Sequence, residues 1–496
     1  MNSTLRTRSR LGVENLEDRA VPASLSPGSL LNGVQLAPPA GVGATVANVY
    51  VETNNPATGQ NAVLGFHRQS DGSLTQFGTY ATGGTGQLNV PKVVGPDDGD
   101  QEVVATPDGR FVFAVNEGSG SVTGFKIGQN GALTRVGTFD TGGVQPDSIG
   151  IAGDRLYVAN RGDASATHPG TVAPSIVGFD IGTGGDLTPV PNSTVTFPVG
   201  TFVTQTLISR DGRFLFAEVA SLAGAPQGNT LAPFQILQNG DLQLAPGGDV
   251  AAGTNASLIL GAAANPNLNI VYSGITAGGR VGVFTYDETG RTSFVGASAD
   301  QGHAPCWCTV SADGRVLYVA NTATDSIGVY SLANPLNPVQ IQEFSLGGPH
   351  LPVGGTGNTQ SQAFQISLDP TGKSLYVISQ SDNTAFQQGN QLHTLAVARD
   401  GTLTEPNAPI IFAPSDVPAN AHPQGIAVVP VTVPPKTGRP GGDRNTGSGR
   451  GQSGVSSPFQ NNRGNGNQGN DSGYRVGAGI SAFDFGDESG SHFREW

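Results

Sequence analysis

The sequence predicts an all-β fold, a seven-bladed β-propeller whose ring is closed by a C-terminal strand. Three observations predict it. One hydrophobic hairpin pattern recurs along the chain, a second hairpin pattern follows each copy, and the turns of the first pattern are spaced about 45–60 residues apart. Four strands in each repeat of roughly this length are typical of propeller blades.

The first hairpin pattern is a strand, a tight turn and a second strand. Pro-Asp-Gly and its variants favour such turns, because Gly accepts a positive φ and Asp bonds its own backbone. Apolar residues alternate at period two on both sides of the turn, as in half-buried strands. The copies are VVATPDGRFVFAVN (103–116), IGIAGDRLYVAN (149–160), LISRDGRFLFAEV (207–219), TVSADGRVLYVAN (309–321), ISLDPTGKSLYVIS (366–379) and the degraded AAANPNLNIVYSG (262–274).

The second hairpin pattern occurs seven times, from VLGFHRQSDGSLTQF to LHTLAVARDGTLTEP. The first unit, however, has only VANVYVE (46–52) in place of a complete first hairpin. We expect HPQGIAVVPV (422–431) to supply the missing inner strand. Pairing the two ends of the propeller would remove an exposed sheet edge.

The chain divides into three predicted parts: an N-terminal arm (1–44), the propeller (45–431) and a tail (432–496). The Gly/Asn/Arg/Ser-rich tail buries too little apolar surface to offset the entropy of ordering, which predicts disorder. The arm lacks the apolar centre of an ordinary signal peptide. Its Leu16-Glu17-Asp18-Arg19 segment, followed by Val21-Pro22, resembles the opening segment of some exported bacterial surface proteins. Export or the cell surface is therefore favoured over the cytoplasm.

Charge and hydropathy restrict the partners. The formal net charge is −13, which argues against a nucleic-acid partner, since phosphate binding needs a basic surface. No apolar run is long enough to span a bilayer, so no transmembrane segment is expected. The end of the tail, SAFDFGDESGSHFREW, carries aromatic residues among acids; it either docks on a protein partner or stays unstructured. We expect a monomer.

The two cysteines are predicted to be free thiols. Cys306 and Cys308 are two residues apart in one extended strand, facing the same side at a separation too large for a disulfide. No nearby His or Cys completes a metal site, and no metal or other cofactor is expected. The run Asp97-Asp98-Gly99-Asp100 could hold Ca²⁺ in principle, but a solvated loop is the favoured interpretation.

Candidate functional residues lie just before each inner strand, where a propeller presents side chains at one mouth of its central channel. Counting back from the turns predicts a polar ring with two histidines nearby. Its predicted ligand-binding members are Gln101, Gln205, Trp307, Gln365 and Gln424, and its predicted acids or bases are Glu102, Asp147, His303 and His422. The ring is either a pocket for a small oxygen-rich molecule or the polar wall of a water-filled channel.

The alternation of xPDGRxLYVAN and GxLT over about residues 45–431 resembles the lactonase propeller family, which includes 6-phosphogluconolactonase and carboxymuconate-cyclase-like members. The resemblance implies His and Arg at the channel mouth, in Pro-Arg or Pro-His pairs. This chain instead has Asp147 after Pro146, Cys306 after Pro305 and Gln424 after Pro423, with Arg161 as a remaining anion contact. An acidic replacement would repel a phosphate rather than hold it.

Two functions remain open from the sequence. The first is an enzyme that opens a small lactone or cyclic acid at the channel mouth, by hydrolysis or cycloisomerisation. The second is a non-catalytic exported propeller that binds a ligand or a protein at the cell surface, since fold alone does not determine function. The sequence identifies neither substrate nor partner.

Overall fold

A computed structural model describes residues 44–87, 98–164, 170–221, 229–253, 258–349, 352–353, 358–359, 361–381, 386–418 and 420–431. These residues form seven blades. Each blade is an antiparallel sheet with four strand positions side by side, and the ring closes between the two ends of the propeller as predicted. The predicted disordered tail and all but the last residue of the predicted arm, including the export-like segment, lie outside the described residues.

The strands follow the chain from blade to blade. Blade 1 contains β1 (Thr45–Glu52), β2 (Ala62–Gln69) and β3 (Leu74–Ala81); blade 2 contains β4 (Val103–Ala105), β5 (Phe111–Asn116), β6 (Ser121–Ile127) and β7 (Leu133–Asp140). Blade 3 contains β8 (Pro146–Ala152), β9 (Arg155–Asn160), β10 (Ser175–Ile181), β11 (Leu187–Pro189) and β12 (Val195–Thr196); blade 4 contains β13 (Thr201–Ile208), β14 (Phe214–Ser221), β15 (Thr230–Ile236), β16 (Leu242–Leu244) and β17 (Val250–Ala251).

The second half of the ring repeats this order. Blade 5 contains β18 (Ile259–Ala264), β19 (Ile270–Ile275), β20 (Arg280–Tyr286) and β21 (Thr292–Ala299); blade 6 contains β22 (Pro305–Val310), β23 (Val316–Asn321), β24 (Ser326–Ser331) and β25 (Val339–Ser345). A small hairpin, β26 (Pro352–Val353) with β27 (Asn358–Thr359), precedes blade 7, which contains β28 (Ser361–Leu368), β29 (Ser374–Ser381), β30 (Gln391–Val397), β31 (Leu403–Thr404) and β32 (Ile410–Ile411). Short 3₁₀ turns occupy Glu117–Ser119, Thr276–Gly278, Thr322–Thr324 and Gln387–Gly389.

The ring closes between the two ends of the propeller, as the sequence predicted. Strand β33 (Gln424–Pro430) pairs antiparallel with β1, with Ala47 opposite Pro430 and Glu52 opposite Gln424. Blade 1 therefore takes its inner strand from the end of the chain and its other three strands from the beginning. Residues 372 to 383 positions apart share one sheet, so neither end can leave without exposing a sheet edge.

The repeated turns have a common chemical basis. In blade 2, Thr106 Oγ1 donates to Asp108 Oδ1 (2.6 Å), the same carboxylate oxygen accepts the N–H of Arg110 (3.1 Å), and Gly109 adopts φ +68°. Blade 4 repeats this arrangement with Ser209, Asp211, Gly212 and Arg213, and blade 6 repeats it with Ser311, Asp313, Gly314 and Arg315. The Asp side chain and the permissive Gly therefore specify each hairpin locally.

The core lies between blades rather than at one centre. Seven hydrophobic clusters join consecutive blades, and Tyr50 and Val63 of blade 1, for example, pack with Val112 and Phe125 of blade 2. Tyrosine hydroxyls join the same neighbours by donating to a backbone carbonyl of the next blade. These bonds are Tyr50 to Gly131 (2.7 Å), Tyr157 to Gly240 (3.0 Å), Tyr272 to Pro335 (3.0 Å) and Tyr318 to Gly401 (3.0 Å).

Both cysteines are free and buried, as predicted. Burial raises the pKa of the Cys306 thiol to about 12, which keeps it protonated and unreactive near neutral pH. The prediction that both face the same side is wrong. Cys306 and Cys308 belong to different hydrophobic clusters, because the pairing of β22 shifts register between Pro305 and Cys308.

No helix in the described part of the chain is long and apolar enough to cross a membrane.

Candidate functional site at the propeller axis

The inner strands share an irregularity that directs side chains toward the axis. In six blades the inner strand shifts register against the second strand of its blade, and the shift occurs at the same height each time. The shifts lie within Pro146–Ser148, Val203–Gln205, Leu260–Ala262, Pro305–Cys308 and Ala363–Ile366 and, in blade 1, next to Gln424. Such bulges re-aim side chains. Gln101, Gln145 and Ala304, just before three inner strands, adopt φ values of +71°, +54° and +55°. The predicted ring residues occupy this irregular level.

A short segment of the chain crosses the axis at this level. We name residues 98–102 the hub. The carbonyl oxygen of Gly99 accepts hydrogen bonds from Trp307 Nε1 of blade 6 (2.7 Å) and Gln365 Nε2 of blade 7 (2.9 Å). The hub backbone also bonds Thr204 of blade 4, where Asp100 N–H donates at 3.0 Å, and Ile149 of blade 3, whose N–H donates to the Gln101 carbonyl at 3.1 Å. The hub thus connects blades that do not otherwise adjoin.

The ring residues come together around the hub, and most are buried by it. Glu102, Asp147 and Gln424 are 0 % exposed, and Gln205, Trp307 and Gln365 are at most 2 % exposed. Gln365 Nε2 donates to Glu102 Oε1, and Gln205 Nε2 donates to Gln101 Oε1 (3.2 Å). Gln424 Nε2 donates to Glu117 Oε1 at 3.0 Å. The sequence therefore located these positions at the axis but did not show that they are closed to solvent.

Asp147 and Arg161 lie near one another at the mouth where the inner strands begin. Both Asp147 carboxylate oxygens are buried without a hydrogen-bond partner. Burial raises the Asp147 pKa well above its usual range, and the Arg161 guanidinium opposes this shift. Arg161 is itself fully buried over the Phe202 ring (4.6 Å) and donates to the Ala164 carbonyl (2.7 Å). Arg161 is therefore held inside the protein rather than presented to an anion.

The two candidate histidines have different positions. His422 is 1 % exposed and directly precedes the closing strand. His303 is exposed, and its backbone bonds Ala323 and the Thr324 hydroxyl on the same blade. The structure therefore does not bring His303 to the buried ring residues.

A serine–histidine–glutamate arrangement that the sequence analysis missed lies in blade 7. Ser379 Oγ is 3.1 Å from His393 Nε2, and His393 Nδ1 is 2.7 Å from Glu405 Oε1. Its geometry resembles that of a nucleophilic hydrolase. However, Ser379 is 0 % exposed and its hydroxyl donates to Asp325 of blade 6 (3.0 Å). The group therefore stabilises the contact between two blades and cannot meet a substrate.

The hub forms one end of a cavity of about 520 Å³ along the axis, which we name the axial cavity. Its walls are the inner strands of blades 1, 2, 4, 5, 6 and 7. It extends toward the inner hairpin turns, where Arg210 is exposed and Pro266 and Leu368 are half-buried, so this end opens to solvent. A volume of this size accommodates a small molecule.

Asp100 is the carboxylate that lines the axial cavity. The sequence analysis favoured a solvated loop here, and for the described Asp98 and Asp100 that prediction is wrong, since both are only 8 % exposed. Burial, and then the nearby Glu218 carboxylate, raise the Asp100 pKa well above its usual range. Gln101 beside it also lines the cavity and is half-buried, and its side-chain oxygen accepts a bond from Gln205. Asp100 thus has the environment of a general base tuned upward.

Metal binding finds no support among the residues that the structure describes, since no three His, Cys, Asp or Glu side chains there are arranged to hold an ion.

Three solved structures that resemble this chain align with it over nearly their whole length. A candidate 6-phosphogluconolactonase of Bacteroides fragilis is 17 % identical with a TM-score of 0.53, covering 78 % of this chain and 98 % of its own. A candidate 6-phosphogluconolactonase of Bacteroides uniformis is 16 % identical with a TM-score of 0.55, covering 78 % of this chain and 99 % of its own. The periplasmic gluconolactonase PpgL of Pseudomonas aeruginosa is 17 % identical with a TM-score of 0.56, covering 78 % of this chain and 100 % of its own. At these identities the likeness shows the fold alone.

The sequence itself identifies the family. No curated protein matches the chain. The family described as "Lactonase, 7-bladed beta-propeller" matches residues 59–171 and 219–383, which together make up more than half of the 496 residues. The matched segments contain the hub and the inner strands of blades 2, 3, 5, 6 and 7. The chain belongs to the lactonase family of seven-bladed β-propellers.

Proposed function

We propose that this protein hydrolyses a small lactone in the axial cavity, with Asp100 as the general base. The observation that carries the proposal is a titratable carboxylate at the closed end of a solvent-accessible cavity, within the fold of a lactonase-family chain. Burial and the Glu218 carboxylate raise the Asp100 pKa above its usual range, which makes Asp100 a stronger base than an exposed aspartate.

The proposed step uses groups of this chain alone. The Asp100 carboxylate removes a proton from a water molecule, and the water oxygen attacks the lactone carbonyl carbon. The Gln101 side-chain N–H donates to the carbonyl oxygen as negative charge develops on it. The bond between the carbonyl carbon and the ring oxygen then breaks, the ring oxygen takes up the proton, and a hydroxy acid leaves.

The experiment measures lactone opening above the spontaneous rate in a pH-stat, comparing wild type with Asp100→Asn. Loss of a general base lowers kcat by about 10²-fold or more. Asp400→Asn is the matched control, because Asp400 lies in an exposed turn of blade 7. An Asp100→Asn variant as active as wild type would refute the assignment of the base.

The Asp147→Asn variant tests whether the reaction takes place at the buried mouth or in the axial cavity. If the buried mouth is the active site, as the sequence analysis predicted for Glu102, Asp147 and His422, this variant loses activity and Asp100→Asn keeps it. The proposal expects the reverse, because the hub lies between Asp147 and the axial cavity.

A non-catalytic ligand-binding propeller is the second candidate. It is favoured by the internal use of the ring amides, because Gln205 and Gln365 bond the hub instead of facing a ligand. A folded wild-type protein that accelerates the opening of neither aldonic nor aromatic-acid lactones would support this second function.

A further inference from the structure

Two amides at the hub end of the axial cavity use their N–H groups in hydrogen bonds within the protein. Gln205 Nε2 donates to Asp100 Oδ2 (3.1 Å) and to the Ala262 carbonyl (2.9 Å), while its oxygen accepts the Ala262 N–H. These two acceptors and Gln101 Oε1 (3.2 Å) all belong to the protein, so Gln205 has no N–H left for a ligand.

Gln365 repeats this arrangement on the opposite side of the hub. Its Nε2 donates to the Gly99 carbonyl and the Glu102 carboxylate, and its oxygen accepts the Gly425 N–H. Gln205 is therefore bonded to the buried Asp100 carboxylate, and Gln365 is bonded to the buried Glu102 carboxylate. The closed end of the cavity is rich in acceptors and poor in donors.

Glu218 adds a carboxylate behind the same wall. It lies on β14 directly opposite Gln205, is 0 % exposed, and accepts bonds from the Ser273 hydroxyl and from Thr204 Oγ1 (3.3 Å). Gln205, which pairs with Glu218 between β13 and β14, bonds the Asp100 carboxylate with its side chain, and the Glu218 carboxylate helps to raise the Asp100 pKa. Glu218 does not line the cavity, so any influence on a ligand is electrostatic.

The positive charge that lines the cavity lies at its other end. Among the residues that line the cavity, Arg210 is the cation, and it lies beyond the end of β13 at the solvent side, where its Nε bonds Asn269 Oδ1 (3.1 Å). An anion at the hub would meet carboxylates in a medium of low dielectric constant and would find few N–H donors. Hydroxyl groups, in contrast, can donate to these acceptors.

Resting on the lactone hydrolysis proposed above, we infer that the axial cavity takes an uncharged, polyhydroxylated lactone and excludes phosphorylated or carboxylated ones. Glu218 sets this exclusion from behind the wall, as a residue that determines specificity without touching the substrate.

The test compares kcat/KM for gluconolactone and 6-phosphogluconolactone in wild type, Glu218→Gln and the control Asp400→Asn, which removes a carboxylate from an exposed turn of blade 7. We expect at least ~10-fold preference for the uncharged lactone in wild type, a smaller preference in Glu218→Gln and no change in the control. Equal or faster opening of the phosphorylated lactone overturns the ligand class. An unchanged preference in a folded Glu218→Gln protein overturns the role of Glu218.

A failure of the proposed function is distinguishable from a failure of this inference. If wild type opens neither lactone, hydrolysis is refuted, and calorimetry with gluconolactam and gluconolactam 6-phosphate tests the ligand class alone. Tighter binding of the phosphate, or no binding of either compound, then overturns the inference. If Glu218→Gln does not fold, as judged by circular dichroism, the wild-type preference still decides which lactone the cavity accepts.

Discussion

Glu218→Gln should change how the free energy of unfolding depends on pH. Burial raises the pKa of Glu218 from its ordinary 4.5 to about 7, against the opposing hydrogen bonds of Ser273 and Thr204. Between these two pH values the folded protein binds a proton that the unfolded chain has released. Stability contributed by Glu218 is therefore fully present below pH 4.5 and is lost as pH rises toward 7.

The size of this effect follows from the shift. A difference of about 2.5 pKa units at about 1.4 kcal/mol per unit corresponds to about 3 kcal/mol. Glutamine stays neutral throughout, so the variant does not lose this contribution. Any hydrogen-bond mismatch that the amide introduces is constant with pH, and it cancels when the variant and wild type are compared across the pH range.

Urea unfolding at intervals from pH 4 to 8 provides the measurement. The stability of Glu218→Gln relative to wild type should increase by up to about 3 kcal/mol across this range. Glu288→Gln is the control, because the Glu288 side chain is 76 % exposed and pairs with Arg213 at the surface. A stability difference that is flat between pH 4 and 8, or that falls as pH rises, would show that Glu218 does not carry a buried charge of this kind.

Three further perturbations test the fold around the site. Trp307→Phe keeps the ring packing but removes one of the two donors to the Gly99 carbonyl, leaving the Gln365 bond, and should cost about 1 kcal/mol in urea unfolding. Tyr157→Phe removes the bond to Gly240 in the next blade and should cost about 1 kcal/mol by the same assay; an unchanged midpoint would show that this contact contributes nothing. Deleting residues 422–431 should abolish cooperative thermal unfolding of the whole ring, and a truncated protein that melts like wild type would contradict closure by β33.

The propeller was predictable because its determinants are local. Each hairpin is specified within five residues, as where Thr106 and Asp108 bond within the turn that Gly109 permits. The closing strand could be found because one copy of the pattern was missing at the start and present at the end. Periodicity alone did not predict the register shift that sends Cys306 and Cys308 into different clusters, because a bulge changes which side each later residue faces.

The site was only half predictable, because its burial depends on distant contacts. Counting back from the turns selected Glu102 and Gln365, and their side chains are in direct contact in the structure. Nothing local indicates that the acidic run near Asp100 folds inward, because the bonds that hold it there come from Gln205 and Trp307, more than 100 residues later. Composition favoured a solvated loop, and the long-range bonds of the hub override that preference.

The hub also explains why acidic residues can occupy the axis of this propeller. A carboxylate among closely packed strands is costly unless it is protonated or hydrogen-bonded. Gln365 donates to Glu102, Gln205 donates to Asp100, and Ser273 donates to Glu218. The same donors are thereby withdrawn from the cavity, so the bonds that stabilise the buried acids make the cavity unsuited to anions. Replacing Gln205 with Leu should consequently weaken folding and leave the preference for uncharged lactones intact, whereas replacing Glu218 should reduce that preference.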